Sequence, residues 1–416
     1  MRKLGIYVQV PFCQTKCTYC NFHTGVVASS RFAPYVEAVC GEIREHRDLL
    51  RAAGIGEDLA EKAHSQEWLC HEPVVDTIYI GGGTPSLLDP AHLEGILDTI
   101  RASFGQRPAS EGGPYKGTCA DLMEVTLEAD SETVEAEKAA AWVRAGINRV
   151  SFGLQSFADK ELIAAGRMHR RADIYRVVPI LREAGIQNIS FDLIAGLPHQ
   201  TKESWRQSLD ELAGLAPEHV SVYLLEIDED SRLGKELLQG GGRYSAGAVP
   251  SEDEMAEFYE MAQKALGAAG YHHYEISNWA KQGFESRHNL KYWRREPYLG
   301  FGAGAHSFSG TERWANAHDA AAYVAAVERG RLPVEQHETL TAESALEEGH
   351  VFERWSHLGT ARSEEDLADL AEARAEIDFD PDIYRILVSY IAKHRSSVRP
   401  LARPRQNEMF EAVEAF

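Results

Sequence analysis

Three cysteines fall within eight residues, as Cys13-x3-Cys17-x2-Cys20, while Cys40, Cys70 and Cys119 are scattered. Thiolates are soft ligands suited to iron–sulfur clusters or zinc. A chain of 416 residues with half its six thiols in one tight loop is not a disulfide framework. It reads as an intracellular protein that binds metal with that loop, Cys70 and Cys119 being incidental. A structural zinc site takes four protein ligands, and His23 stands in sequence reach as a fourth. Three thiolates on a [4Fe–4S] cluster would instead leave one iron open to a small molecule.

A second group is Gly81-Gly82-Gly83-Thr84-Pro85, directly between a strand pattern and a capped helix. Glycines let backbone groups approach a ligand closely. No Gly-Lys-Ser/Thr follows, so this is not a Walker loop, and the spacing is not GxGxxG. Beside the cysteine loop it suits the polar, zwitterionic head of a small ligand. A tight turn with no ligand is the bland alternative.

A third group is Arg287-His288-Asn289-Leu290-Lys291-Tyr292-Trp293-Arg294-Arg295. Imidazole is a common axial ligand of heme iron, and aromatic rings pack on a macrocycle. Arg287, Lys291, Arg294 and Arg295 form a basic patch suited to propionates. The bland reading is a packing segment, with His288 hydrogen-bonded and Trp293 in the core. His272 and His273 read as structural or surface residues.

The elements that must position these groups are strands alternating with helices. Apolar, β-branched runs cover 4–10, 74–80, 122–128, 147–154, 186–193 and 219–225. Helical patterns lie between them at 32–50, 91–104, 133–145, 174–184 and 205–215, with Asp89-Pro90 as a start signal and Gly146 and Gly185 as stops. Six such repeats predict an α/β fold with a parallel sheet curled into a partial (β/α)6 barrel, short of the eight units of a closed one. Functional groups then gather beyond the C-terminal strand ends, where the cysteine loop, the glycine turn, Glu128, Gln155, Arg167, Asp192 and Tyr223 all fall. Residues 51–73 and 106–120 read as inserts. The division is a core barrel at 1–238, a Gly-rich linker at 239–250, and a smaller, mainly helical C-terminal domain at 251–416 that ends in an acidic helical tail.

With 43 basic against 64 acidic side chains, the net charge is −21. So acidic a chain is a poor binder of nucleic acid phosphates or anionic membranes. No run approaches the roughly 20 apolar residues of a membrane helix, and the start does not read as a signal peptide, so the expectation is a cytoplasmic protein.

The stretches YVQVPFCQTKCTYCNF, YIGGGTPSLL, GINRVSFGLQSF, FDLIAGLPHQT, YEISNWA, HNLKYW and YLGFGAGAHS resemble the radical S-adenosylmethionine (SAM) superfamily. Within it they are similar to the HemW group of heme chaperones, relatives of oxygen-independent coproporphyrinogen III dehydrogenase (HemN). The resemblance runs from about residue 4 to residue 325 and fades in the tail. It implies a [4Fe–4S] cluster on Cys13, Cys17 and Cys20, with SAM on the open iron. It places Tyr7, Tyr19, Gly82, Gly83, Thr84, Glu128, Gln155, Arg167, Asp192 and Tyr223 around SAM, His306 aligning less securely, and it links His288, Asn289, Tyr292 and Trp293 to heme. In the superfamily an electron from the cluster cleaves SAM.

Three departures weigh on the reading. The dehydrogenase motif continues Cys-x-Cys, whereas Asn21 and Phe22 follow Cys20 here. The dehydrogenase also carries an extension ahead of its first strand. Where the family usually reads Glu-Ala-Asn-Pro, this chain reads Glu128-Ala129-Asp130-Ser131. The first two favour a protein that binds heme and passes it to acceptor proteins, as a homodimer in the manner of the family. The alternative is an enzyme that oxidatively decarboxylates coproporphyrinogen III.

Overall fold

The computed structural model describes residues 3–55, 74–104 and 123–340. Most of both expected inserts, Cys70, Cys119 and the tail after 340 lie outside the described residues.

Six parallel strands pair in chain order: β1 (Lys3–Val10), β2 (Val74–Gly82), β3 (Glu124–Ala129), β4 (Arg149–Gln155), β5 (Asn188–Ala195) and β6 (His219–Leu224). Side chains alternate across a strand. One row is apolar and almost fully buried, as in Ile6 and Val8 of β1, Ile78 and Ile80 of β2, or Phe152 of β4. It packs beneath the helices. The other row is polar and stays in register across the sheet: Tyr7 beside Tyr79, Tyr79 beside Thr126, Glu128 beside Ser151, Ser151 beside Ser190, and Asp192 beside Ser221. A parallel sheet covered on both faces is apolar throughout. This one keeps a polar concave face, the signature of an interior that takes a polar ligand.

The helices are α1 (Phe32–Ala53), α2 (Pro90–Ser103), α3 (Ala136–Ala145), α4 (Asp159–Ala164), α5 (Arg171–Ala184) and α6 (Lys202–Leu215). Asp89 caps α2 by accepting from Ala91 N at 2.9 Å. Gly146 and Gly185 end α3 and α5 at φ +98° and +108°. Helix α3 starts later than its sequence pattern, because Ser131–Thr133 forms a 3-10 turn of its own. Helix α5 starts earlier, at Arg171, where Arg170 N donates to Asp173.

After α7 (Arg232–Leu238) the glycine-rich stretch 239–250 is packed rather than slack. Ala246 is buried, and Ala248 O accepts from His199 N at 2.7 Å. Beyond it come α8 (Glu252–Ala268), α9 (Arg287–Trp293) and α10 (Ala320–Val327), with six short strands that the sequence reading did not anticipate. These are β7 (His272–Glu275), β8 (Asn278–Ala280), β9 (Tyr298–Phe301), β10 (His306–Phe308), β11 (Glu312–Asn316) and β12 (Val334–Thr339). They extend the same sheet, giving the order β12-β11-β10-β9-β1-β2-β3-β4-β5-β6-β8-β7. Strand β9 runs parallel to β1, and β8 antiparallel to β6, so the later part of the chain covers both edges of the six-stranded sheet. Runs of three to six residues such as His-His-Tyr-Glu carry too little alternation to show as strands.

Candidate functional site

Strand β1 ends at Val10 and releases the cysteine loop. Phe12 anchors it, stacked 4.8 Å from Phe32 and edge-on 4.9 Å from Tyr35. The loop closes on itself through Cys13 N to Gly25 O (3.0 Å) and Gly25 N to Pro11 O (2.9 Å). It is pinned to the barrel by Thr18 N to Ala165 O (3.0 Å) and Leu233 N to Thr18 O (2.8 Å). All three thiols are free. Burial raises the Cys13 and Cys20 thiols, so thiolate character there depends on a bound cation. The His23 ring lies 4.0 Å from that of His318.

The glycine turn is wedged against this loop. Gly83 N donates to Val10 O (2.9 Å) and Thr84 N to Phe12 O (2.7 Å). A Cβ on Gly83 would stand 2.5 Å from Phe12 O and 2.9 Å from Cys13 Sγ, which only glycine avoids. Gly82 has φ +110° and donates its N–H to Glu128 Oε2 at 2.9 Å. Three of the turn's amides are thus already used within the protein.

Glu128, at the top of β3, also accepts from Tyr79 Oη at 2.8 Å. Burial, with Asp192 and Asp130 adding, pushes its carboxyl up to about 7 against those two hydrogen bonds. Tyr7 lies 6.0 Å from Tyr79, and its hydroxyl donates to Gln9. Asp192 is held by Ser151, 3.3 Å away, and burial raises it as well. Gln155 ends β4 in the left-handed region at φ +67°, with Oε1 buried and unpartnered. An orphaned buried acceptor of this kind fits a ligand hydroxyl or amine.

Arg167 is ion-paired to Asp130. It also donates to Gly153 O at 2.8 Å and reaches Cys17 Sγ at 3.5 Å. Asp130 in turn accepts from Thr84 Oγ1 at 3.0 Å. The structure therefore connects the cysteine loop, the glycine turn, β3 and β4 through Asp130, which sequence reasoning marked only as a departure. Tyr19 faces the same group, its phenol raised by burial and then by Cys17. Tyr223, near the end of β6, is 40% exposed, and burial and then Asp192 raise its phenol.

Helix α9 lies at the opposite mouth of the barrel. Glu124, the first residue of β3, accepts from Arg287 N and His288 N, both at 3.1 Å, and so caps the helix. His288 is 1% exposed. One ring nitrogen meets Thr77 Oγ1 at 2.9 Å and the other Tyr292 Oη at 3.0 Å. Burial, then Lys291 and Arg149, lowers it to about 3, so it is neutral. Its ring stands 5.4 Å from Tyr79 and 6.3 Å from Tyr7. As folded, His288 presents no open nitrogen to a metal.

The expected basic patch is also partly used internally. Lys291, fully enclosed, pairs with Asp76 (2.7 Å) and Glu296 (3.0 Å), and Arg287 with Asp76 (3.4 Å). Asn289 and Trp293 are half-buried on the same helix. His273 stacks on Trp279 at 4.0 Å in a structural role.

Five comparisons bear on this arrangement. The Radical SAM superfamily profile matches residues 7–212. An excinuclease Cho C-terminal domain profile matches residues 333–405, mostly outside the described residues. Heme chaperone HemW of Bacillus subtilis (strain 168) is 35% identical over 342 residues, 82% of this chain and 80% of that one. Heme chaperone HemW of Escherichia coli (strain K12) is 33% identical over 305 residues, 73% of this chain and 69% of that one. Among solved structures, coproporphyrinogen III oxidase (HemN) from Escherichia coli has a TM-score of 0.68 at 21% identity, over 86% of this chain and 75% of that one. That likeness establishes the shared fold. With its cysteine loop, its glycine turn and relatives over most of its length, the chain belongs to the radical SAM superfamily and, within it, to the HemW family.

Proposed function

We propose that the protein is a cytoplasmic heme chaperone, which binds heme and hands it to acceptor proteins. Cys13, Cys17 and Cys20 would hold a [4Fe–4S] cluster. Gly82, Gly83, Thr84, Glu128, Gln155, Arg167 and Asp192 would hold SAM, with Tyr7 and Tyr19 flanking and Tyr223 at the rim. The chemistry these groups supply when bound is one-electron reduction of the sulfonium. The residues themselves orient and enclose. Glu128 offers a carboxylate to the ammonium, Gln155 an unpartnered acceptor, and α9 shuts water out from below.

The observation that carries the chaperone reading is the HemW family membership. Phe22, where the dehydrogenase has a cysteine, supports it. Among the described residues no helix is long and apolar enough to cross a membrane. The heme contacts assigned to His288, Asn289, Tyr292 and Trp293 stay part of the proposal, with the condition that His288 must first leave Thr77 and Tyr292.

Oxidative decarboxylation of coproporphyrinogen III is the second reading. Gln155, Arg167 and Asp192, all retained on one rim, favour it. Anaerobic turnover of cluster-loaded protein with SAM, reductant and coproporphyrinogen III separates the two. No product from protein of full iron content, together with stoichiometric heme binding, is the expected outcome. Protoporphyrinogen IX as product would overturn it.

A further inference from the structure

The inner wall of the barrel carries a charge that the described residues do not answer. Arg149, the first residue of β4, is 1% exposed. Its Nε is buried without a hydrogen-bond partner, and among the described residues no carboxylate pairs with its guanidinium. Two other enclosed arginines are paired, Arg101 with Asp98 at 2.8 Å and Arg167 with Asp130. Arginine keeps its charge inside a protein, and a buried charge without a partner is strongly unfavourable.

Arg149 lies in the inward row of β4 with Ser151, and its charge acts on Tyr79 of β2, Asp192 of β5 and His219 of β6. The guanidinium therefore points into the lumen, below the strand ends around the cysteine loop. Thr126 stands beside it in register on β3 and Asn188 on β5. Thr126 Oγ1 and Asn188 Oδ1 are also buried and unpartnered. Beyond β6 the β7–β8 hairpin adds Glu275 Oε1 and Asn278 Oδ1 in the same condition. Tyr223 shows that the lumen has room. It is 40% exposed, yet burial, Asp192 and Glu275 raise its phenol, so its open surface faces the interior.

Bridging waters would satisfy these hydrogen-bonding groups but not the charge. The neighbouring side chains do little more. Burial keeps the His219 ring neutral, and it raises the Asp192 and Glu275 carboxyls, the latter to about 7. A carboxylate matches the planar fork of arginine and brings the missing charge. The orphaned oxygens of Asn188, Glu275 and Asn278 are acceptors, so they call for a donor on the same ligand. We propose that the barrel lumen binds a small free acid, its carboxylate on Arg149 and Thr126 and a hydroxyl or ammonium group toward the orphaned acceptors. This site uses neither the cysteine loop nor the 287–293 helix, and it goes beyond the chaperone reading without depending on it.

The test is titration of the full, cluster-reconstituted chain with L-lactate, L-alanine and acetate at fixed ionic strength. Binding is read by saturation-transfer nuclear magnetic resonance and by Tm. Lactate carries a hydroxyl, alanine an ammonium group, and acetate no donor, so the three separate the two sources of the donor. At least one of lactate and alanine should bind several-fold more tightly than acetate and raise Tm. Arg149→Met should lose about tenfold or more in affinity, Arg149→Lys less, and Thr126→Val several-fold. Without ligand, Arg149→Met should melt no lower than wild type, because it removes an unanswered charge. A lower Tm there, with no transfer to any of the three acids in wild type, would make Arg149 a structural residue and overturn the site. Equal stabilisation by sodium chloride, or equal binding in Arg149→Met and Thr126→Val, would overturn it as well. Each of these failures leaves the chaperone reading where it stands.

Discussion

Arg167 and Asp130 form an ion pair at the mouth of the barrel, between the thiol of Cys17 and the hydroxyl of Thr84. Asp130 stands where the family usually has Asn, so this chain neutralises its own arginine beside the site where an anionic group of SAM would bind. Asp130→Asn keeps an acceptor for Thr84 but removes the charge. SAM affinity should rise by about threefold to tenfold, and the reduction potential of the cluster should shift upward. Equilibrium dialysis and a redox titration check this. Unchanged values for both would show the pair to be a tie between loops only.

Gly83 touches both the backbone and a thiol of the cysteine loop. Gly83→Ala forces its Cβ against Phe12 O and Cys13 Sγ. Neither neighbour is the far end of a flexible chain. Reconstituted iron and the brown absorption near 400 nm should fall well below wild type, while far-ultraviolet circular dichroism is kept.

The folded Glu128 carboxyl titrates at about 7. An ammonium group binds the ionised form, so SAM affinity should climb as pH rises from 6 to 8 and level off above. Below about pH 7 the loss approaches tenfold per unit, because a proton must leave first. Glu128→Gln should bind more weakly and flatten this profile. A wild-type affinity independent of pH would remove Glu128 from the ammonium site.

Much of this site was legible in the sequence. The cysteine spacing, the glycine turn and the position of Glu128 near the end of β3 follow from local pattern and period, whereas β5 runs on three residues past Asp192, to Ala195. Three things were not legible. Strands β7 to β12 are too short for alternation to register. Asp130 shows only as an odd residue until Arg167 is brought to it from another loop. The polar rows of the six strands look like ordinary amphipathic alternation until the sheet curls and they face one interior. The packing of the motif at 287–295 was hidden for a related reason. Its partners Asp76, Thr77 and Glu124 lie far back in the chain, and nothing local announces that they fix the helix from inside.

His288→Ala tests that structural role directly. It removes two buried hydrogen bonds and leaves a hole beneath Tyr7 and Tyr79. The cost should be about 2–4 kcal/mol, seen as a lower Tm in heme-free protein. A Tm equal to wild type, with heme binding lost, would make His288 a ligand rather than a strut.

Glu42 on α1 ties three later segments together, accepting from Gly302 N (3.0 Å), Asn316 Nδ2 (2.8 Å) and Tyr323 Oη (2.6 Å). Burial pushes its carboxyl up to about 7 despite those donors. A carboxyl raised in the fold binds a proton that the unfolded chain has released. Its contribution to stability is therefore full below about pH 4.5 and declines as pH rises to about 7. Glu42→Gln should erase this decline. It should also lower stability by about 1–3 kcal/mol, since an amide N–H would face a donor. Thermal melts of both proteins from pH 5 to 8 supply the comparison.

Strand β1 carries the cysteine loop on its C-terminal end, yet its outer neighbour is β9, which begins at Tyr298. A ribosome therefore releases the thiols long before it makes the strand that covers the β1 edge, or the helix that shuts the lower mouth. During that interval the nascent chain has an unpaired strand edge, which is prone to misassociation, and an interior open from below. Metal delivered co-translationally would meet thiols that are accessible from two sides. Metal delivered after release would have only the upper mouth, so the order of synthesis makes the late strands the step that closes the compartment.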